Sequence, residues 1–295
     1  MKNPIKIVTK TSRGLVPHIT REHLSGIPIS CVEFGLEGLL DGDLFVANQT
    51  SIPKELSEYT SMKRFLSLRT GLSAVGKDTI SFSTSAGIRK MPIDQVIKIV
   101  QRLEIDCFLG IAVLLDSPKK TAERTMKLLN QMLDLNFELW APIHDELLEF
   151  PAYLDFLKGK SFAGYWLEAG NKGLLHLLPA KSIFVAGCTS LGEMREWNDR
   201  GALFFDNSYA SMLTEEGSAL VAAASGETIS LWDPQYKFDE KPICAAEECA
   251  CVACSRHSRC YLQHLLTVNE MLGWTLLAIH NETMLRKLFS ESAHL

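Results

Sequence analysis

"IDCFLGIAVLLDSPKKTAERTMKLLNQMLDLNFELWAPI" (Ile105–Ile143) runs from one apolar segment through an amphipathic one into another. "FLGIAVLL" (108–115) carries no charge and reads as a strand buried on both faces, as the strands of a parallel sheet are. From Lys119 to Leu135 the apolar residues recur at helical spacing, and "FELWAPI" (137–143) reads as a second strand. Strand, helix and strand in that order make a crossover unit, the building block of a parallel sheet.

The alternation extends in both directions. Upstream, "TISFST" (79–84) reads as strand and "IDQVIKIVQRLE" (93–104) as helix. Downstream, "DELLEFPAYLDFLKG" (145–159) is a helix interrupted by Pro151. "FAGYWLEA" (162–169) and "SIFVAG" (182–187) are strands, "SLGEMREWNDRG" (190–201) a helix and "ALFFD" (202–206) a strand. Ser190 with Glu193 three residues later is a helix-start signal, and Gly201 a helix stop. A doubly wound sheet and a (β/α)8 TIM-like barrel both satisfy this pattern. No G-x-G-x-x-G follows a strand and no phosphate-binding G-x-x-x-x-G-K-[ST] occurs, so the nucleotide-binding open sheets lose their main support and the barrel is expected. The first 75 residues are less regular and read as a capping or β-rich entry. Composition shifts near Pro242, where a Cys-rich tail begins. The expected domains are therefore residues 1–240, an irregular barrel, and residues 241–295, a zinc-binding subdomain with C-terminal helices.

Composition narrows the function classes. Of 295 residues 46% are hydrophobic, ample for a sizeable core, and mean hydropathy is +0.05. No apolar run reaches the ~20 residues of a membrane helix, so no integral membrane segment is expected. "MKNPIKIVTKTSRG" (1–14) lacks a signal-peptide core, and although basic it lacks an Arg-rich amphipathic pattern; a cytoplasmic protein is the expectation. Net charge is −5, without the basic field of a protein that grips nucleic acid unaided. Sharing such a site with a partner stays open.

"EECACVACSRHSRCYLQHLL" (247–266) gathers four of the eight cysteines. Nothing directs the chain to an oxidising compartment, which argues against a disulfide knot. A redox pair Cys251/Cys254 would leave Cys249 superfluous. C-x-C-x-x-C brings three thiolates into one tight loop, as Zn²⁺ prefers, while incidental free thiols are the bland alternative. The spacing leaves the fourth ligand open among Cys244, His257, Cys260, His264 and His280. A straight helix from Tyr261 would carry His280 roughly 30 Å away, so its use requires a bend, for which Gly273 is the candidate.

The C-x-C-x-x-C string followed by "YLQHLLTVNEMLGWTLLAIHN" (261–281) closely resembles the C-terminal zinc segment of tRNA-guanine transglycosylases, over about forty residues. The resemblance implies one structural Zn²⁺ held by Cys249, Cys251, Cys254 and His280, with His264 a helix residue rather than a ligand. It extends upstream: "IFVAGCTSLGEMREWNDRGALFFDN" (183–207) is similar to the family segment that leads to its nucleophilic aspartate, which places Asp206 at that position. A carboxylate at the C-terminal end of a barrel strand sits on the catalytic face and can form a covalent sugar intermediate. Alternatively Asp206 merely begins a turn, since "DNS" is ordinary turn chemistry.

Three departures weigh against catalysis. The family's base-recognition "DSGGF" has no counterpart, there being no Gly-Gly pair in the chain. Its base-reading aspartate at a strand end has none either, because the matching strand continues "FLGIAVLL" with no carboxylate before Asp116. Hydrogen-bonding groups are where such discrimination comes from. Where the family continues "LPTR", this chain has no Lys or Arg between Asp206 and Lys237 but carries Glu215 and Glu216, which repel a phosphate backbone. The chain is instead similar to the non-catalytic subunit of the heterodimeric queuine tRNA-ribosyltransferases, in "GLVPHITREHLSGIP" (14–28), "ISFSTSAGIRKMP" (80–92) and "FFDNSYASMLTEEGSAL" (204–220).

That resemblance implies a catalytic tRNA-guanine transglycosylase subunit as partner, tRNA within the complex, and support for exchange of guanine for queuine at the wobble position. It also implies a cytoplasmic place, with peripheral association at the mitochondrial outer membrane as the family's variant. Arg256, His257 and Arg259 are the candidate partner or RNA contacts, against solvated surface charge as the alternative. An active transglycosylase using Asp206, and a zinc-braced queuine-binding protein without RNA, are the competing functions. Glu168, Gly187 and Ser190 sit near strand ends with no role assigned.

Overall fold

The computed structural model describes residues 5–12, 14–41, 59–68, 72–75, 79–84, 87–112, 117–171, 176, 178–222 and 225–291. Eight strands close into a barrel: β1 (Lys6–Thr11), β2 (Cys31–Gly35), β3 (Lys63–Ser67), β7 (Cys107–Leu109), β8 (Glu138–Pro142), β9 (Gly164–Glu168), β10 (Ser182–Ala186) and β11 (Ala202–Asp206). Their order is β1-β11-β10-β9-β8-β7-β3-β2, parallel in every described pairing. The expected α/β barrel is the fold.

Two compact units make up the chain: Met1–Thr9, Val16–Ser30 and Gly187–Leu295 form one, Lys10–Leu15 and Cys31–Ala186 the other. In the second, Phe65 meets Trp140 and Phe184, ring centroids 5.8 and 5.6 Å apart. Gly164 makes room for that aromatic layer, since a Cβ there would lie 2.6 Å from the Trp140 ring. Ser67 Oγ donates to the buried Glu33 carboxylate at 2.6 Å. After the short helices α1 (Arg21–Leu24) and α2 (Leu36–Asp41), the longer ones bury the faces that periodicity picks out: Val96, Ile99 and Val100 of α3 (Ile93–Arg102), and Leu128, Leu129 and Met132 of α4 (Pro118–Met132). Pro151 splits the next helix into α5 (Asp145–Leu148) and α6 (Pro151–Gly159), opening the second as proline does at a first turn.

Two expectations need correcting. "TISFST" is a strand, β5 (Thr79–Thr84), but it lies outside the barrel, in an antiparallel sheet between β4 (Leu72–Val75) and β6 (Gly87–Pro92). The link from Thr84 to Gly87 is too short for a crossover, so it makes a hairpin. Meanwhile the first 75 residues supply β1, β2 and β3 of the barrel itself. These strands are five or six residues long and the intervening chain lacks helical periodicity, which hid them. Asp116 lies outside the described residues.

In the first unit, α7 (Leu191–Asp199) starts on Ser190, whose Oγ accepts from Glu193 N at 3.1 Å, and is followed by Gly201 at φ +97°. Beyond β11 come α8 (Ser208–Glu215), a hairpin of β12 (Ser218–Ala222) and β13 (Glu227–Ser230), and a 3-10 turn at Pro234–Phe238. Three helices follow: α9 (Val252–Arg256), α10 (Arg259–Thr267) and α11 (Met271–Glu291). The helical stretch before His280 does break, at Asn269 (φ +57°) rather than at Gly273. Asparagine tolerates the left-handed conformation that ends α10. Gly273 sits inside α11, where a Cβ would meet Leu265 Cβ at 3.0 Å; its task is close helix approach. No described helix is long and apolar enough to cross a membrane.

Candidate metal centre and strand-end carboxylate

Cys251 is extended and caps α9, and Cys254 follows one helical turn later, so both thiols reach one side. Cys249 joins them from the preceding turn, which its N–H closes on Ala245 O at 3.0 Å. Reversal at Asn269 returns α11 so that His280, fully buried, meets the three sulfurs. The four ligand atoms lie within 4.8 Å of one another. Nδ1 of His280 is 3.7 Å from the sulfurs of Cys249 and Cys251 and 3.3 Å from that of Cys254. A tetrahedron with metal–ligand legs of ~2.3 Å to sulfur and ~2.0 Å to nitrogen has sulfur–nitrogen edges of about 3.5 Å. The arrangement can hold a metal, and its chemistry suits zinc. Four protein donors leave no position for water or substrate, so such an ion braces the fold rather than reacting.

Electrostatics among these four side chains agree with that reading. Hydrogen bonds from Cys251 and then Cys254 hold the Cys249 thiol far below the ordinary cysteine range. Cys251 is pushed up, first by its bond to Cys249. Cys254 is pushed up too, first by Cys244 and then by Cys249. Burial works against a charged His280, yet hydrogen bonds to Cys249 and Cys251 outweigh it and raise its pKa to about 9. Thiolate beside imidazolium is a buried charge pair that a divalent cation replaces by releasing protons.

The other candidates for the fourth ligand are placed elsewhere. Cys260 Sγ contacts Ser258 Oγ at 3.1 Å, His257 stacks on Tyr261 at 5.1 Å, and His264 is exposed. Cys244 alone stays beside the cluster: its sulfur lies 3.7 Å from Nε2 of His280, not Nδ1, and it also bonds the Cys254 thiol.

Asp206 ends β11 and is buried, 1% exposed as a residue. Both oxygens accept from Gly187 N, at 3.0 and 3.1 Å, and Oδ1 also accepts from Ser208 N at 3.2 Å. Gly187, at φ +78°, turns its amide onto the carboxylate. This gives the residue a role its sequence neighbourhood did not disclose. Ser190 is a helix cap, and Glu168 is exposed at the end of β9. At the end of β7, the Gly110 carbonyl accepts from the indole N–H of the buried Trp166 at 2.8 Å.

Of the proposed contact residues, Arg256 is exposed and His257 half-buried. Arg259 pairs with Asp239 at 3.1 Å, donates to Ile243 O at 2.9 Å and lies over the Tyr236 ring, so its guanidinium ties the 3-10 turn to α10. A buried pair went unnoticed in the sequence: Arg286 bonds Glu282 and Thr9 Oγ1 at 2.5 Å each, and Glu282 bonds Asn207. Its signal was an i,i+4 Glu/Arg pair on an otherwise apolar helix next to His280.

Comparison with known proteins bears on this geometry. Residues 172–293, which hold the four cage residues and Asp206, match the family model described as Queuine tRNA-ribosyltransferase. Over that segment the chain is similar to the queuine tRNA-ribosyltransferase family. A Queuine tRNA-ribosyltransferase of Synechococcus sp. (strain CC9605) is 37% identical over 118 residues, 40% of this chain and 30% of that protein. Another, from Synechococcus elongatus, is 38% identical over 110 residues, 37% of this chain and 27% of the relative. The match to these family members thus spans about a third of their length or less. Similarity of a longer kind links the chain to Queuine tRNA-ribosyltransferase accessory subunit 2 of Schizosaccharomyces pombe, 24% identical over 310 residues, 92% of this chain and 70% of that protein.

Proposed function

We propose that this chain is the non-catalytic subunit of a heterodimeric queuine tRNA-ribosyltransferase, supporting exchange of guanine for queuine at the tRNA wobble position. One observation carries the reading: similarity to an accessory subunit runs through 92% of the chain, whereas similarity to the Synechococcus enzymes is confined to 40% or less. The chemistry agrees. Trp166 takes the carbonyl beyond β7, the strand where the resemblance would put base recognition. Between Asp206 and Lys237 the chain offers no cation for RNA phosphates and exposes Glu215 and Glu216. Zinc held by Cys249, Cys251, Cys254 and His280 would brace the tail. A catalytic transglycosylase subunit is the partner, tRNA is bound by the pair, and the cytoplasm is the expected place.

A second reading has its own support. Asp206 keeps the strand-end position of a nucleophile, with its oxygens oriented by amides. Labelled-guanine exchange separates the two. The chain alone should be inert, and the mixture with a catalytic homologue active. Asp206→Asn in this chain should leave the mixture's rate unchanged. Exchange by the isolated chain, abolished by Asp206→Asn, would establish the second reading instead.

A further inference from the structure

His280, Asn281 and the backbone of Leu220 form a closed set of contacts beside the cysteine cage. The Leu220 carbonyl accepts from His280 Nε2 at 2.8 Å, and the Leu220 N–H donates to Asn281 Oδ1 at 3.0 Å. Asn281 spends its amide hydrogens on Ser218 O at 2.9 Å and Thr214 Oγ1 at 3.1 Å. Both side chains are fully buried. Two successive residues of α11 thus hold both backbone groups of a single β12 residue.

The consequence is chemical. In the neutral imidazole that a metal requires, an Nε2 hydrogen committed to a carbonyl leaves Nδ1 bare, and Nδ1 is the atom that faces the three thiols. Nε2 has a second neighbour, the Cys244 sulfur at 3.7 Å, which itself donates to Val221 O at 3.3 Å. If β12 shifts, the ring loses its acceptor and Cys244 is the group next to it. We infer that Asn281 is a positioning residue for the metal centre: by pinning Leu220 it sets the tautomer and aim of His280. Outer partners of this kind orient metal ligands and change affinity by about 10–100-fold when removed.

The inference rests on the metal reading of the cage. Wild-type chain, Asn281→Ala and Thr214→Val are titrated with Zn²⁺ against a chromophoric chelator, and with Co²⁺ while the visible absorption is recorded. Asn281→Ala should weaken binding 10–100-fold and shift the cobalt bands as the nitrogen donor is lost. Thr214→Val, which leaves the Leu220 bond intact, should bind as the wild type does. A merely structural asparagine would lower the unfolding temperature with and without metal and leave affinity and cobalt bands unchanged, and that result overturns the assignment. Should Asn281→Ala not fold, nitrogen-15 NMR of the zinc-loaded wild type decides: hydrogen on Nε2 supports the role, hydrogen on Nδ1 overturns it. Wild-type chain that takes up neither ion overturns the metal reading itself, a failure distinct from a wild type that binds and an Asn281→Ala that binds equally.

Discussion

A methyl group on Gly164 would sit 2.6 Å from both the Trp140 ring and the Ser182 carbonyl oxygen. Two rigid neighbours leave little room to relax, so Gly164→Ala should cost about 1–3 kcal/mol, measurable by denaturant unfolding. The cage residues should behave differently, because each would contribute through one shared ion. Cys251→Ser or His280→Ala should cut zinc content sharply in metal analysis, while Cys260→Ser and His257→Ala, whose side chains turn elsewhere, should keep it. The three cysteines were legible because their spacing is local. His280 was legible only through the family resemblance, since its approach depends on one left-handed residue, Asn269, that no periodicity reveals. Gly187 and Glu282 were not legible at all: what each touches lies 19 and 75 residues away in the chain.

At the scale of elements, the turn between α10 and α11 is a point of control. Asn269→Val places a β-branched side chain at φ +57° and should destabilise the chain by about 1–2 kcal/mol, whereas Asn269→Gly should be close to neutral. The starts of β3, β7 and β8 carry a second device. Lys63 Nζ lies 2.7 Å from Glu138 Oε2, and the Cys107 thiol donates to the same oxygen at 3.3 Å. Burial opposes charge on both partners. Even so, the bond to Glu138 raises Lys63 above its ordinary value, and the bond from Lys63 lowers Glu138 below its own. A raised lysine stabilises below about pH 10.4 and loses its effect at higher pH; a lowered glutamate stabilises above about pH 4.3 and loses its effect in acid. A Lys63→Met/Glu138→Gln double-mutant cycle should therefore give a steady coupling across neutral pH that fades at both extremes. Its size should be about 0.2–1 kcal/mol, because both groups are partly solvated. Helices and late strands were readable because their apolar periods are long. β1, β2 and β3 were not, because the described helices beside them, Arg21–Leu24 and Leu36–Asp41, are too short to show an apolar period that would mark where a strand begins or ends.

For the whole molecule, chelation offers a direct test of the brace. Removing metal should raise amide exchange through residues 239–291, which supply the cage and its turns, while the β3–β7–β8–β9–β10 ladder stays protected. The mixture with a catalytic homologue should lose guanine exchange under the same treatment if the tail contributes to pairing. Closure of the barrel has a further consequence for how the chain comes to be folded. Lys6 lies against Phe204 and Val8 against Asp206, so the strand made first must wait for one of the last before its hydrogen-bonding groups are satisfied. Pairing over such a separation is slow to form. Until it does, β1 is an open edge ready to join another chain. Nascent or truncated forms ending before Ala202 should accordingly depend on chaperones and precipitate without them.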